Sequence, residues 1–230
     1  FSTLFGEATA FADMVVRFLP SPVAGAPNKV KRTYTGPIPE GVLRSVEASL
    51  EKGDSSDVEM EEEEDGVEEL SAEEREEAAA ARRVAGALLR CDMKGPLSMN
   101  VVKLVPKPDA TGFDALCRVL SGRVREGMDV MVLGEGYSTS DHEASARATV
   151  HRVKLSQARY ALGLSSAPAG AWVLLEGVEE SIAKSATIVD EDEDLDRAYI
   201  YRPLHFGTQS VIKIAVEPLN PSELPKMVEG

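Results

Sequence analysis

The sequence contains few cysteines and no long apolar run. Cys91 and Cys117 are the only cysteines in 230 residues, and neither lies at a spacing typical of a disulfide framework or a zinc site. We expect Cys117 to be a small core thiol and Cys91 a loop or cap residue, in a reducing, intracellular compartment. The longest apolar runs, such as Ala171 to Leu175, are far shorter than the roughly 20 residues that a membrane-spanning helix needs. These features argue against a secreted disulfide scaffold and against a membrane protein.

The sequence also lacks the motifs of common catalytic and cofactor sites. No Gly-Lys pair occurs, so no P-loop lysine can reach phosphates held by a glycine turn. The run Gly134-Glu135-Gly136 begins a dinucleotide-binding pattern, but Thr139 stands where its last glycine belongs. The aspartates from Asp190 to Asp194 imitate the start of a calcium loop without its turn glycine. We therefore predict no catalytic residue, no metal site and no bound cofactor in this chain.

The charge of the chain is concentrated in one segment. Acidic residues outnumber basic ones by 39 to 25, for a net charge of −14. Between Glu51 and Glu77 there are 15 acidic and two basic residues, so this segment alone carries −13. It has no aromatic residue and few aliphatic ones, and cannot bury enough surface to offset its ordering entropy. We predict an acidic disordered insert over residues 51–77, which serves as an exposed spacer or attracts basic partners.

Helical periodicity is present at the start of the chain. Apolar residues spaced from Leu4 to Phe18 predict an amphipathic helix over residues 3–19, which Pro20 ends. Because an apolar face of this size is not stable alone, we assign residues 1–22 to the terminal helix of a preceding domain. The alternative is that the helix packs on the residues C-terminal to it.

The segments on either side of the acidic insert give two further predictions. Residues 23–50 are predicted to be a linker and a short helix, because Val23 to Pro39 is rich in Gly, Pro and Lys, with one extended stretch at 31–34. A Ser-x-x-Glu capping box at Ser71 predicts a helix that continues to about Leu89. Residues 78–96 then hold the rest of this helix and the approach to the β region.

From Leu97 onward the apolar period becomes two, which is typical of β-strands. Gly- and Pro-rich turn signals separate the apolar runs. The predicted strands cover residues 97–105, 113–120, 129–133, 147–155, 158–164, 171–176 and 185–189. Short strands at this spacing predict a mainly β fold, a closed barrel or a sandwich, over residues 97–206.

The C-terminal part of the sequence continues this pattern with an interruption. A second acidic run, Asp190 to Asp196, is expected to be a solvated loop, and Tyr199 to Phe206 is expected to be extended. Ser210 to Glu217 predicts a strand, and Pro221 opens a predicted helix. A strand and a helical turn do not make a domain, so we expect residues 207–230 to be the start of another one.

Basic side chains on the predicted strands are the candidates for contact with RNA or a protein partner. Gly122 suits a tight hairpin, from whose tip Arg123 and Arg125 would project. The alternative is an ordinary solvated surface, because charge density alone does not identify a phosphate-contacting face. The candidate residues are Arg118, Arg123, Arg125, Arg152, Lys154 and Arg159.

Several segments resemble translocase-type translational GTPases, most closely the splicing branch of that family, the GTPases of the U5 small nuclear ribonucleoprotein. Leu19-Pro20-Ser21-Pro22 resembles the end of the last GTPase-domain helix, and residues 211–230 resemble the opening of the family's ferredoxin-like third domain. The similar segments between them are Tyr34-Thr35-Gly36, Cys91-Asp92, Gly95-Pro96-Leu97 and residues 118–122, 132–134, 159–160, 168–178, 184–188 and 202–204. The resemblance covers residues 1–36 and 88–230.

This resemblance implies a translation-factor-type β-barrel with flanking helices and without catalytic groups, since the family's nucleotide motifs would lie upstream of Phe1. GTP and Mg are implied only for that missing GTPase domain. The implied partners are the large scaffold protein of the U5 particle, other spliceosomal proteins and nearby U5 RNA, with no membrane. The implied role is in pre-mRNA splicing in the nucleus.

Two other functions stay open on the sequence alone. One is the equivalent barrel of a ribosomal translocase, acting in translation elongation. The other makes the acidic insert the active feature, as a scaffold for basic proteins. Cys117, Met93 and Ala171 depart from the family's usual residues at their positions, but none of them would touch a catalytic group.

Overall fold

A computed structural model describes residues 9–52, 72–107, 109–157, 160–192, 194–203, 212, 214–224 and 227. The helices are α1 (Thr9–Phe18), α2 (Pro22–Thr33), α3 (Glu40–Lys52) and α4 (Ala72–Arg90). The strands are β1 (Ser98–Pro106), β2 (Phe113–Ser121), β3 (Arg123–Arg125), β4 (Asp129–Leu133), β5 (Ser145–Thr149), β6 (Arg152–Gln157), β7 (Tyr160–Leu164), β8 (Ser166–Pro168), β9 (Trp172–Glu176) and β10 (Ala186–Asp190). Short 3-10 turns cover Glu179–Ser181, Leu195–Arg197 and Pro221–Glu223.

The strands form an antiparallel β-barrel, which confirms the predicted fold class. Eight of them make one sheet in the order β5-β4-β10-β1-β2-β9-β6-β7, and β3 pairs with β8. Alternate side chains point inward, so both sheets share one apolar core. Val124 of β3 and Ala167 of β8 are buried there with Met99, Leu175 and Ile188 of the larger sheet. The small sheet thus completes the barrel interior.

Most predicted strands agree with the structure to within one or two residues, but the strand predicted over 147–155 is wrong. It is two strands, β5 and β6, because the chain bends at Val150 and His151 to satisfy other backbone partners. The Val150 amide donates to the Met128 carbonyl, and the His151 amide donates to the Glu176 carbonyl, both at 2.8 Å. The three-residue strands β3 and β8 are too short to give a periodic signal.

Gly122 is a bend between two strands, so the predicted hairpin tip is wrong. Its φ of +74° turns the chain from β2 into β3, which leaves the larger sheet to pair with β8. A Cβ on Gly122 would lie 2.7 Å from the Leu97 Cα, so the position requires glycine for close approach as well as for its φ. Arg123 and Arg125 are therefore exposed strand residues on either side of buried Val124.

The linker predicted over Val23 to Pro39 is wrong for residues 23–33, which belong to helix α2, and the extended stretch predicted at 31–34 is wrong for all but Tyr34. Pro22 occupies the first turn, where its missing N–H costs nothing, and the Ser21 hydroxyl accepts from the Ala24 amide at 3.2 Å. Ala26, Pro27 and Val30 are buried, so tertiary packing stabilises a helix whose composition suggests a loop.

Helices α2, α3 and α4 form a layer against one side of the barrel. Val30, Val46, Leu88 and Leu89 pack in a second core that also includes Leu120 of β2. A short seam fixes this layer to the barrel. Tyr34 forms an antiparallel bridge with Tyr201, and the Arg202 amide donates to the Thr33 carbonyl at 2.7 Å.

The seam also reaches into the barrel itself. The Tyr201 and Ser98 hydroxyls are 2.6 Å apart and buried, and the Tyr201 amide donates to the Thr187 hydroxyl at 2.8 Å. Burial raises the pKa of the Tyr201 phenol, so it stays protonated. The chain from 199 to 203 thus connects β1, β10 and the end of α2, as expected for the extended segment predicted there.

Helix α4 has the extent that the capping box predicts and ends in a Schellman motif. The Asp92 amide donates to the Ala87 carbonyl at 2.9 Å and the Cys91 amide to the Leu88 carbonyl at 3.3 Å. Cys91 takes the left-handed conformation with φ +55°, so it is the predicted cap residue, and Cys117 is the predicted core thiol.

The acidic insert is shorter than predicted at both ends. Residues 51–52 belong to α3 and residues 72–77 to α4, because Glu, Lys and Ala have high helix propensity and extend helices that are packed elsewhere. The remainder of the predicted insert, residues 53–71, lies outside the described residues.

The two ends of the described chain differ from the barrel in burial. Helix α1 buries none of its residues, and Phe11, Val16 and Phe18 are exposed, so residues 9–18 do not pack on the helices or the barrel C-terminal to them. The strand predicted over Ser210 to Glu217 is wrong for its described residues, 212 and 214–217, which are exposed and pair with no described strand. Without a neighbouring strand, an isolated extended segment has no ladder to stabilise it.

The second acidic run is only in part the predicted solvated loop. Asp190 is the last residue of β10, and its carboxylate accepts from the Leu97 amide at 2.8 Å. Leu195–Arg197 form a 3-10 turn in which the Leu195 carbonyl accepts a hydrogen bond from the Tyr137 hydroxyl. This carboxylate and this carbonyl fasten the run to the barrel because each satisfies a donor from another part of the chain.

Candidate RNA and partner interface

The structure separates the six predicted contact residues into different environments. Arg118 lies on β2, Arg123 and Arg125 on β3, and Arg152 and Lys154 on β6. Arg159 lies outside the described residues. The strand order places β2 next to β9 and β9 next to β6, so Arg118 and Lys154 lie on one sheet while the β3 arginines lie on the other.

Arg118 is half-buried beside an exposed aromatic ring. It pairs in register with Trp172 of β9, and its guanidinium carbon lies 5.9 Å from the centre of the indole. This is the geometry of a cation–π contact. Arg118 also acts on the end of α4, where its charge opposes the burial that raises the pKa of the Cys91 thiol. The residue is therefore engaged within the chain.

Lys154 belongs to a group of five charged side chains on the outer side of the barrel, here called the ion cluster. Its ammonium lies 3.1 Å from a carboxylate oxygen of Asp114 and 2.9 Å from one of Glu176. A second lysine completes the group: Lys107 lies 3.0 Å from Glu176 and 3.7 Å from Glu179. Lys154 is thus committed to intramolecular ion pairs.

The ion cluster holds Lys107, Lys154 and Glu176 in their charged forms. Hydrogen bonds from Lys154 and then Lys107 lower the pKa of Glu176 to about 2. The hydrogen bond to Glu176 raises the pKa of Lys107. Burial lowers the pKa of Lys154, but its bonds to Glu176 and Asp114 outweigh this, and the pKa is raised. Such fixed charges stabilise a structure and do not exchange protons near neutral pH.

The remaining predicted residues are open to solvent. Arg123, Arg125 and Arg152 are exposed, and none of them forms an ion pair within the described part of the chain. The structure therefore leaves these three of the six available for an external anion.

Sequence reasoning misses both the ion cluster and a groove beside α4. The members of the ion cluster come from four separated segments, and only the register of β1, β2, β6 and β9 brings them together. The groove contains Arg83, Arg90 and Lys94, whose helical spacing of seven and proximity to the helix end are the available signal. Arg90, in the last turn of α4, also complements the helix dipole, so its position alone does not indicate a ligand site.

Comparison with known proteins finds relatives that match this chain along its whole length. No protein-family model matches the chain. Over 229 of its 230 residues, the chain is 41% identical to the 110 kDa U5 small nuclear ribonucleoprotein component CLO of Arabidopsis thaliana. The chain is a homologue of one segment of this U5 component. It is equally similar to the 109 kDa component GFL of the same plant and 37% identical to the pre-mRNA-splicing factor cwf10 of Schizosaccharomyces pombe.

This homology confirms the resemblance to the splicing branch. It also shows how much of these relatives the chain corresponds to. The chain spans 19% of the length of each of these three relatives. Their names place them in the U5 particle or in pre-mRNA splicing. In the described part of this chain, no helix combines the length and apolarity of a membrane span.

Proposed function

We propose that this chain is the noncatalytic β-barrel segment of a nuclear, spliceosomal GTPase of the U5 particle. The observation that carries this proposal is the 41% identity, over the whole chain, to U5 components. In this role the segment contacts the large scaffold protein of the particle and lies near U5 RNA. GTP and Mg would be bound by another part of the longer protein, so no hydrolytic step is assigned to residues of this chain.

The seam between the helices and the barrel supports a role in relaying nucleotide state. Tyr34 packs edge-on at 6.2 Å from Tyr199 and lies 5.7 Å from Tyr201, ring centre to ring centre. Together with the backbone bridge, these contacts join the helix layer and the barrel into one unit. A movement of the helix layer would then be transmitted to surfaces on the barrel.

The proposed place of the protein in the nuclear U5 particle is tested by purifying the tagged full-length protein from nuclear and cytoplasmic extracts. The RNA that copurifies with it is then sequenced. We expect enrichment of U5 RNA and of a large scaffold protein from the nuclear extract. Enrichment of ribosomal RNA instead would assign the barrel to a translocase. A matched deletion of residues 53–71 leaves both flanking helices intact and should retain U5 RNA. Loss of all partners on this deletion would make the acidic insert the active feature.

The relay is tested separately, through its dependence on nucleotide. Scaffold recovery is measured with the full-length protein loaded with GDP or with a non-hydrolysable GTP analogue. We expect a difference between the two states in the wild type and a smaller difference in Tyr201→Phe, which removes the buried bond to Ser98. Tyr199→Phe, on the same seam, is the control and should behave as wild type. Equal recovery in both nucleotide states of the wild type would contradict the relay.

A further inference from the structure

A groove lined by three cations lies where α4 turns into β1, and we call it the α4 groove. Its volume is about 480 Å³. One wall is the last two turns of α4 and the other is the connection to β1. The lining residues are Arg83, Gly86, Ala87, Arg90, Asp92, Lys94, Gly95 and Pro96.

Small residues form the floor of the α4 groove. Gly86 offers no side chain, and the Arg90 guanidinium lies 3.8 Å from the position that a Cβ on Gly86 would occupy. Gly95 packs so tightly that an added Cβ would lie 2.6 Å from the Ala87 Cβ. The connection therefore lies directly against the helix, which fixes the two walls of the groove relative to each other.

The charges of the α4 groove are not neutralised within the described part of the chain. Arg83, Arg90 and Lys94 form no ion pair with any described residue. Asp92 is the one acidic lining residue, and its carboxylate accepts from the Lys94 backbone amide at 2.8 Å. The C-terminal end of the α4 dipole adds about half a negative charge. The three positive charges exceed the charge of the Asp92 carboxylate and the partial charge at the end of α4 taken together, so the groove has a net positive charge.

The arginines of β3 extend this positive surface. The Gly122 amide donates to the Asp92 carbonyl at 2.7 Å, which fixes the start of β3 at the rim of the α4 groove. Arg123 is the next residue after this contact, and Arg125 lies about 7 Å further along the strand. Arg83 and Arg90 are about 10 Å apart along α4. The cations therefore occupy several positions along α4 and β3, two elements that meet at the contact between Gly122 and Asp92.

We propose that Arg83, Arg90 and Lys94, continued by Arg123 and Arg125, bind the phosphate backbone of an RNA strand. A row of spaced cations fits a polyanion, whereas a single phosphate needs only one position. The α4 groove has no aromatic or large aliphatic lining residue, which disfavours a peptide held by an apolar anchor. Because contacts to phosphate carry no sequence information, we expect the binding to be independent of base sequence. The inference deepens the proposed function, on which it rests only for the identity of the RNA.

The test measures binding of the purified full-length protein to a labelled single-stranded RNA of mixed sequence at several salt concentrations. The variant is Arg83→Gln with Arg90→Gln and Lys94→Gln. The slope of log affinity against log salt is negative, and each lost phosphate contact on a single strand makes it less steep by about 0.7. We therefore expect the slope of the triple variant to be less steep than that of the wild type by about 2. Affinity at low salt should fall at least about tenfold. An unchanged slope and affinity would overturn the proposal.

The control variant removes the same number of exposed charges elsewhere, as Arg32→Gln with Lys103→Gln and Lys184→Gln. We expect it to bind as wild type; an equal loss in both triple variants would reduce the effect to net charge and contradict the site. If the Arg83, Arg90 and Lys94 triple variant fails to fold, Arg83→Gln with Lys94→Gln changes only exposed side chains. This double variant should make the salt slope less steep by about 1.4.

Two further outcomes separate the alternatives. If the triple variant loses binding to a multiply phosphorylated peptide but keeps RNA affinity, the α4 groove is a phosphopeptide site and the RNA proposal is wrong. Retention of U5 RNA in purified particles is scored independently. If the wild type binds the RNA probe through the groove but copurifies with no U5 RNA, the inference stands and the proposed function fails.

Discussion

The ion cluster and the α4 groove contain the same kinds of basic residue in opposite situations. In the ion cluster, Lys107 and Lys154 are surrounded by three carboxylates within 4.0 Å. In the α4 groove, three cations line an open concave surface and form no described ion pair. The number of basic residues on a strand or helix therefore does not locate a binding surface. The pairing of each residue decides whether its charge is available to a ligand.

The largest effect is expected from Gly122→Ala, which displaces β3 from the rim of the α4 groove and leaves every ion-cluster residue unchanged. At φ +74° the new methyl would lie 2.7 Å from the Leu97 Cα. We expect a loss of about 2–4 kcal/mol in unfolding free energy, from strain and overpacking together. Hydrogen exchange of the β1 and β2 amides in the full-length protein measures it.

Gly127→Ala is the matched control for this substitution. Gly127 has a similar φ of +77°, but a Cβ there would meet no atom within 4 Å. Only the backbone strain remains, so a cost of about 1 kcal/mol is expected. Equal losses in both variants would show that the close approach to Leu97 is unimportant.

The next effect is a loss of stability when the ion cluster, rather than the α4 groove, is changed. Glu176→Gln removes the carboxylate shared by both lysines of the ion cluster and should lower the unfolding free energy by about 1–2 kcal/mol, less than for a fully buried pair. RNA affinity should stay within about twofold of wild type. Glu191→Gln, which breaks an exposed pair with Arg147 at 3.1 Å, is the control and should cost under about 0.5 kcal/mol. Equal stability of both variants would show that the ion cluster is only a surface feature.

A smaller effect on stability is expected when the pH is lowered. The pKa of Glu176 is lowered from 4.5 to about 2, so its contribution to stability is complete above pH 4.5 and is lost as the pH falls through the folded value near 2. The stability difference between wild type and Glu176→Gln should therefore narrow below pH 4.5. Urea unfolding of the full-length protein, followed by hydrogen exchange of the β6 and β9 amides, measures it. A difference that is constant down to pH 3 would contradict the assigned pairing.

The smallest effects are expected from two single substitutions with opposite consequences. Arg123→Gln should lower RNA affinity two- to threefold and the salt slope by about 0.7, with stability changed by less than about 0.5 kcal/mol. Lys154→Gln should lower stability by about 1 kcal/mol and leave RNA affinity unchanged. Titration of the labelled RNA and hydrogen exchange, applied to both variants, provide the comparison. An affinity loss in Lys154→Gln equal to that of Arg123→Gln would break the distinction.

The sequence predicts the barrel well because β1, β2, β4, β9 and β10 are short apolar runs separated by Gly- and Pro-rich turn signals. It fails where a local signal and tertiary packing disagree. Helix α2 reads as a linker because of its proline and glycine, and only burial of Ala26 and Val30 decides in favour of a helix. Gly122 is recognisable as a special backbone position, but its partner, Leu97, is 25 residues away.

The candidate site is less predictable than the fold. Residues such as Arg123 and Lys154 both occupy strand positions that periodicity assigns to the surface. Their difference depends on Asp114 and Glu176, which reach Lys154 through the strand order and register. The α4 groove likewise needs the contact between Gly95 and Ala87 across the end of a helix. Sequence spacing within one element contains neither relationship.

Ultraviolet cross-linking in native U5 particles, followed by mass spectrometry of the RNA-linked peptides, tests the central distinction most directly. We expect cross-links on peptides that contain residues 83–94 and 123–125, and their loss in the Arg83, Arg90 and Lys94 triple glutamine variant. Cross-links on the ion-cluster peptides around Asp114, Lys154 and Glu176, with none along the α4 groove, would contradict it.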